Sequence, residues 1–134
     1  MEKGMLKGKL NAMLKYVLSL MLLGVFVSNV HAGSLVCSGN VDMLAYHQGA
    51  GLLVKLSSMN EHVFICSTDN EWIVPGSLAG NTSPAACKTL YSTFLLARTT
   101  GTPIKNMVFD GNAVPAACNS FAPWTSVNVR YYYY

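Results

Sequence analysis

The chain has little charge and few of the side chains on which catalytic sites depend. Only 11% of its 134 residues are Asp, Glu, Lys or Arg, and three are histidines. It contains no Gly-x-Ser-x-Gly sequence, and Gly49-Ala50-Gly51 is not followed by the helix that a phosphate-binding loop requires. Hydrolysis needs a nucleophile near a base, or paired carboxylates, and neither arrangement is evident. We therefore expect no catalytic residues and no cofactor.

The sequence also lacks an apolar run long enough to cross a membrane. The longest run, Tyr16–Val27, has twelve residues, whereas a bilayer helix needs about 20. Lysines precede it at positions 3, 7, 9 and 15, and Val30-His31-Ala32 follows it. A basic start, a short apolar run and a small final residue are the three parts of a secretory signal. We predict a cleavable signal peptide over residues 1–32 and one secreted or periplasmic domain over 33–134, without stable membrane insertion after cleavage.

Cleavage would remove the basic excess of the precursor. The net charge of +3 comes from nine basic and six acidic residues, and segment 1–32 holds four of the lysines and Glu2. The predicted mature domain then has five residues of each sign. Nucleic-acid binding depends on neutralising phosphates with clustered cations, so we expect no nucleic-acid partner.

Four cysteines remain in the mature domain, at positions 37, 66, 87 and 118. An even number of cysteines in a small exported protein is typical of a disulfide framework. The alternative, a zinc site, is disfavoured because no two cysteines have the C-x2-C spacing. We expect two disulfides and no metal.

The hydrophobic pattern predicts three strands, a helix and two more strands. Alternating apolar residues bounded by Gly and Asn indicate the strands, with a loop over 69–82 in which Trp72–Val74 can add a short strand. The predicted strands are 36–46, 52–58, 62–66, 103–109 and 125–133. The helix is predicted over about 84–99: Ser83 is a good N-cap, Pro84 suits the first position, and Gly101 ends it. Its predicted apolar stripe consists of Cys87, Leu90, Tyr91, Phe94 and Leu95.

This order of elements, β-β-β-α-β-β, is that of the OB-fold, a five-stranded Greek-key barrel. We therefore predict an α+β, mainly β domain with an OB-like barrel and one helix; the alternative is a helix packed on an open sheet. In such a barrel the helix packs beside the exit of the third strand, which brings Cys66 close to Cys87. Cys37 and Cys118 then join the first strand to the loop before the last. The other two of the three connectivities are the alternatives.

One segment also resembles a known family. Residues 87–104, Cys-Lys-Thr-Leu-Tyr-Ser-Thr-Phe-Leu-Leu-Ala-Arg-Thr-Thr-Gly-Thr-Pro-Ile, resemble the corresponding segment of the subtilase-cytotoxin B subunit and of small exported bacterial proteins. The B subunits are pentameric OB-fold proteins that bind glycans for AB-type toxins. The resemblance implies an OB-fold and a glycan-binding subunit of an oligomer. It assigns no individual sugar-contacting residue to this chain.

Aromatic and amide side chains are the candidates for ligand binding, because sugars stack on aromatic rings and their hydroxyls bond to amides. We name Trp72, Trp124, Tyr46 and Asn70 as candidate ligand-binding residues. The alternative for both tryptophans is a place in the core. His47 and His62 are interpreted as surface or strand-end residues. Tyr131–Tyr134 predict an aromatic edge strand that pairs with another subunit.

The sequence thus favours an exported, non-enzymatic binding domain whose partner is a cell-surface glycan and which forms a homo-oligomer. The alternative from another class is an exported monomeric domain that binds or inhibits a protein. An enzyme is the third hypothesis.

Overall fold

The structure, a computed structural model, describes residues 33–49 and 51–133. The predicted signal peptide and the last tyrosine of the predicted edge strand lie outside the described residues. The elements in chain order are β1 (Gly33–Gly39), β2 (Val41–His47), β3 (Gly51–Leu56), β4 (Val63–Cys66), α1 (Pro84–Thr100), β5 (Ile104–Gly111), a 3-10 turn (Cys118–Ser120) and β6 (Asn128–Tyr133).

The strands form two antiparallel sheets of three strands each. β5 lies between β1 and β6 in the first sheet, and β3 lies between β2 and β4 in the second. A parallel bridge between Phe64 and Ser126 joins the second sheet to the segment that leads into β6. Over residues 33–49 and 51–133 the fold is mainly β with one long helix, as predicted. The predicted closed barrel of five strands is a different arrangement from these six strands in two open sheets.

Gly39 is the reason why one predicted strand, 36–46, is two strands. Its φ of +130° is a conformation that glycine adopts readily, and it turns the chain out of the first sheet toward the second. A Cβ at this position would lie 2.1 Å from Ser57 Oγ. The Ser57 hydroxyl accepts a hydrogen bond from the Asn40 amide (3.1 Å), which fixes the corner between β1 and β2.

Helix α1 begins and ends where the sequence predicts. Ser83 Oγ accepts a hydrogen bond from the Ala86 amide at 3.2 Å, and Gly101 ends the helix in the left-handed conformation with φ of +69°. The buried residues of α1 are Cys87, Phe94 and Ala97. The predicted stripe was too wide, since Tyr91 and Leu95 are each 40% exposed. Tyr91 and Leu95 lie beside the narrow row of buried residues that enters the core.

Both disulfides have the predicted pairing. Cys37–Cys118 joins β1 to the 3-10 turn, and Cys66–Cys87 joins the end of β4 to the first turn of α1. The half-cystines Cys37, Cys66 and Cys87 are themselves part of the core, which lies between the two sheets and beneath α1. In the described part of the chain, no helix has both the length and the hydropathy to cross a membrane.

Candidate functional site

Trp124 lies in the loop before β6 and is exposed to solvent. Hydrogen bonds anchor this loop at both ends. At one end the Asn60 side chain bonds to the backbone of Phe121 twice, donating to its carbonyl and accepting from its amide, each at 2.9 Å. At the other end the Phe64 amide donates to the Thr125 carbonyl at 2.9 Å, and the Val127 amide donates to the Phe64 carbonyl at 2.9 Å. The backbone on both sides of Trp124 is therefore held by neighbouring segments.

Trp124 combines exposure with an unfavourable backbone conformation. Its side chain is 56% exposed, and it is the one residue other than glycine with a positive φ (62°) among the described residues. Non-glycine residues in the left-handed region cost about 1–3 kcal/mol and cluster at functional sites. Burial of this indole does not account for the conformation, because more than half of the side chain faces water.

Three other rings lie against Trp124, and a fourth, Trp72, joins them through Phe64; we call this group the aromatic platform. Its members are Trp124, Phe64, Trp72, His47 and His62. The ring centroids of His62, His47 and Phe64 lie 5.1, 5.7 and 5.8 Å from that of Trp124. Both histidines meet the indole edge to face, and Phe64 also contacts Trp72 at 6.5 Å. The platform has a nearly buried centre, Phe64, and an exposed indole beside two imidazoles.

Imidazole nitrogens give the aromatic platform hydrogen-bonding groups next to its apolar face. His47 Nδ1 lies 3.0 Å from the Gln48 carbonyl, and because a carbonyl only accepts, Nδ1 is the donor. In a neutral imidazole this leaves Nε2 as an acceptor. His62 Nδ1 lies 3.9 Å from Glu61 Oε2, so a carboxylate stands at the same edge.

Trp72 is positioned from the opposite side by a buried polar network. Its indole N–H donates to the Val127 carbonyl (2.9 Å), and its backbone forms a two-residue bridge with Thr82. Thr82 Oγ1 in turn donates to the buried Asn128 side chain at 2.7 Å. The loop ahead of Thr82 is held by Asp110, whose Oδ2 accepts the amides of Leu78 and Ala79 at 2.7 and 2.9 Å. This loop thereby positions Trp72 beside Phe64.

The structure separates the four candidate ligand-binding residues. It brings Trp72 and Trp124 together through Phe64, and Trp72 is partly buried with its N–H satisfied. Tyr46 instead donates to Asp69 Oδ2 at 2.7 Å and lines another groove, of about 420 Å³, with Leu52, Thr68, Lys88 and Tyr91. Asn70 is exposed in the loop, where its backbone N–H donates to Ser67 Oγ.

Sequence reasoning missed that His47 and His62 belong to the same site. Each stands beside a strand end, and only the pairing of β2 and β4 on either side of β3 brings them to one Trp. A usable signal was that both histidines of residues 33–134 adjoin predicted strands. Within the described residues no group of three His, Cys, Asp or Glu side chains is placed to hold a metal ion.

No protein-family model, no curated protein and no solved structure matches this chain.

Proposed function

We propose that this protein is an exported, non-enzymatic binding domain that takes a glycan on the aromatic platform. The observation that carries the proposal is Trp124: an indole 56% exposed, held at φ of 62° by a loop anchored on both sides. An exposed, preorganised Trp is the kind of residue that dominates binding energy. A sugar ring would lay its C–H face on this indole, and its hydroxyls would bond to the imidazoles of His47 and His62.

The OB-like architecture is part of this proposal. If β1 and β2 are counted as one strand bent at Gly39, the neighbours run from β1–β2 through β3 and β4 to the segment before β6, then through β6 and β5 back to β1. This cyclic order supports an OB-like Greek-key barrel, which the family resemblance also implies. The shortest strand pairing in this cycle joins β4 to the segment before β6, because it consists of the single bridge between Phe64 and Ser126.

A glycan array probed with the exported protein, followed by titration of the best glycan, tests the ligand. Trp124→Ala is expected to weaken binding at least tenfold, since truncating a central aromatic anchor typically costs 2 kcal/mol or more. Tyr131→Ala is the matched control, because Tyr131 is 55% exposed but lies on β6 outside the platform. It should leave affinity within about twofold. An array without any glycan above background, or equal binding by Trp124→Ala, would rule the proposal out.

Export is tested separately by mass spectrometry. The signal pattern predicts that the exported protein begins at Gly33, because Ala32 is the small residue at the cleavage position. An intact Met1 on protein recovered from the membrane fraction would contradict cleavage and leave the glycan test unaffected.

A further inference from the structure

Among residues 33–49 and 51–133, strand β6 has a strand neighbour on only one side. It pairs with β5 from Asn128 to Tyr133, and the parallel bridge on its other side is at Ser126, before β6 begins. The Val129 amide donates to the side-chain oxygen of Asn128 (3.0 Å) and not to a neighbouring strand. An unpaired strand edge is a template for another extended chain.

A groove runs along this free edge. It has a volume of about 400 Å³ and lies between β6 and the first half of α1. Ala86, Thr89 and Leu90 of the helix form one wall, and Val129–Tyr132 form the other. A groove between a helix and an unpaired strand is suited to strand addition, in which main-chain hydrogen bonds give affinity and side-chain pockets give specificity. We call it the β6 groove.

Of the described residues that line the β6 groove, only Arg130 is charged. Arg130 is exposed at its rim and forms no ion pair with any residue that the structure describes. Of the described residues, none that lines the groove is acidic, and the other polar side chains there are those of Asn81, Thr82, Thr89 and the two tyrosines. Arg130 also sits at the irregularity in the β5–β6 register, between Val129 and Tyr131. Among peptide side chains, a carboxylate is the strong partner of a guanidinium, because it can accept two parallel N–H···O bonds.

A second copy of this chain is a poorer occupant. The sequence expectation was that the tyrosine strand pairs with another subunit. The β6 strand of a second copy brings another arginine and no acid, since Asn-Val-Arg-Tyr-Tyr-Tyr contains neither Asp nor Glu. A charged side chain on an edge strand also discourages pairing between identical edges.

We propose that the β6 groove binds an extended acidic peptide segment of a partner protein as an added strand. The peptide's main chain pairs with Arg130–Tyr133, its apolar side chains contact Leu90 and Val129, and one carboxylate meets Arg130. This surface is separate from the aromatic platform and does not depend on the glycan proposal.

Selection from a displayed library of random eight-residue peptides, using the exported protein, tests this inference. We expect selected peptides to carry Asp or Glu among alternating apolar residues, and to slow hydrogen exchange of the amides of residues 130–133. Arg130→Glu should weaken a selected peptide at least tenfold, and Arg130→Lys by less. The matched control is Lys105→Glu on the adjacent β5, an exposed cation outside the groove, which should change affinity less than twofold.

Three results would overturn the inference. One is a library that yields no binder, or binders that protect the loop around Trp124 instead of residues 130–133. Another is equal peptide affinity in wild type and an Arg130→Glu variant whose melting temperature is unchanged. The third is a dimer by light scattering that Arg130→Glu or Tyr131→Ala dissociates, because the edge would then belong to a second copy.

Discussion

At the scale of single residues, two side chains are in costly conformations or environments that their surroundings enforce. Trp124 occupies left-handed backbone space, and Asp110 is fully buried. Trp124 is at the surface, whereas the buried Asp110 holds the loop that contains Leu78 and Ala79. Trp124 belongs to the aromatic platform, and Asp110 is connected to it through the loop that positions Trp72.

The strain at Trp124 predicts an unusual order of stability between two truncations. Trp124→Gly should be more stable than Trp124→Ala by about 1 kcal/mol, because glycine adopts a positive φ without a Cβ clash. Both variants lose the indole equally, so the difference isolates the backbone. Urea unfolding measures it. The same two substitutions at Ser126, whose φ is not positive, should rank the other way; the same order at both positions would contradict strain at Trp124.

We expect Asp110 to stabilise the fold through several hydrogen bonds. Its Oδ2 accepts the amides of Leu78 and Ala79 and the hydroxyl of Ser77 at 2.7, 2.9 and 3.3 Å. Hydrogen bonds to charged groups contribute about 1.5–3 kcal/mol, so Asp110→Ala should lower the free energy of unfolding by about 3 kcal/mol. Asp42→Ala, at an exposed position of β2, should change it by less than about 0.5 kcal/mol. Equal effects in chemical denaturation would show that the Asp110 network is unimportant.

At the scale of elements, α1 is a locally specified helix and the sheets are not locally specified. The helix carries its own beginning in Ser83 and Pro84 and its own end in Gly101. The edges and corners of the sheets depend on partners far along the chain, as Gly39 depends on Ser57.

The N-cap predicts a measurable contribution from a single hydroxyl. Ser83→Ala should destabilise the protein by about 1 kcal/mol, because the Ala86 amide loses its acceptor. Ser92→Ala is the control within the same helix, where the hydroxyl bonds the Lys88 carbonyl and alanine is the better helix former. Thermal unfolding of the two variants compares them. A cost as large at position 92 as at 83 would contradict the capping role.

The helix is specified by nearby residues and the sheets by distant ones, and this difference explains what could be predicted from the sequence. Helix bounds follow from residues within a turn of each end, and they were right to within a residue. The corner at Gly39 was missed because Ser57, against which it packs, lies in the turn after β3, far along the chain. The aromatic platform was half predicted: the two tryptophans were named, but their convergence with His47 and His62 depends on the pairing of three strands. Tyr46 was grouped with them on residue type alone.

At the scale of the whole molecule, the two disulfides close loops of different size. Cys66–Cys87 spans 21 residues and Cys37–Cys118 spans 81. In the chain-entropy account these loops contribute about 3 and about 4.5 kcal/mol, because each removes freedom from the unfolded chain. Together they are comparable with the whole net stability of a typical domain, about 5–15 kcal/mol.

Paired cysteine variants test this difference. Cys37→Ala with Cys118→Ala should lower stability more than Cys66→Ala with Cys87→Ala, by about 1 kcal/mol. Chemical denaturation of each variant, with the reduced wild type as the common reference, measures both. If the short loop proves the costlier to open, burial of Cys66 and Cys87, both 0% exposed, outweighs the entropy of the long one.

The position of Cys37–Cys118 also determines how the domain transmits mechanical tension. β1 and β6 flank β5 and run parallel to each other, so that a pull on Gly33 and Tyr133 shears the sheet along its strands. The force passes from residue 37 to residue 118 through the disulfide and bypasses the chain between them. Trp124 is on the loaded side of this bond, whereas His47, His62, Phe64 and Trp72 are on the shielded side. Stretching residues 33–133 would therefore pull the exposed indole away from the rings of His47, His62 and Phe64, while the chain between residues 37 and 118 carries no load.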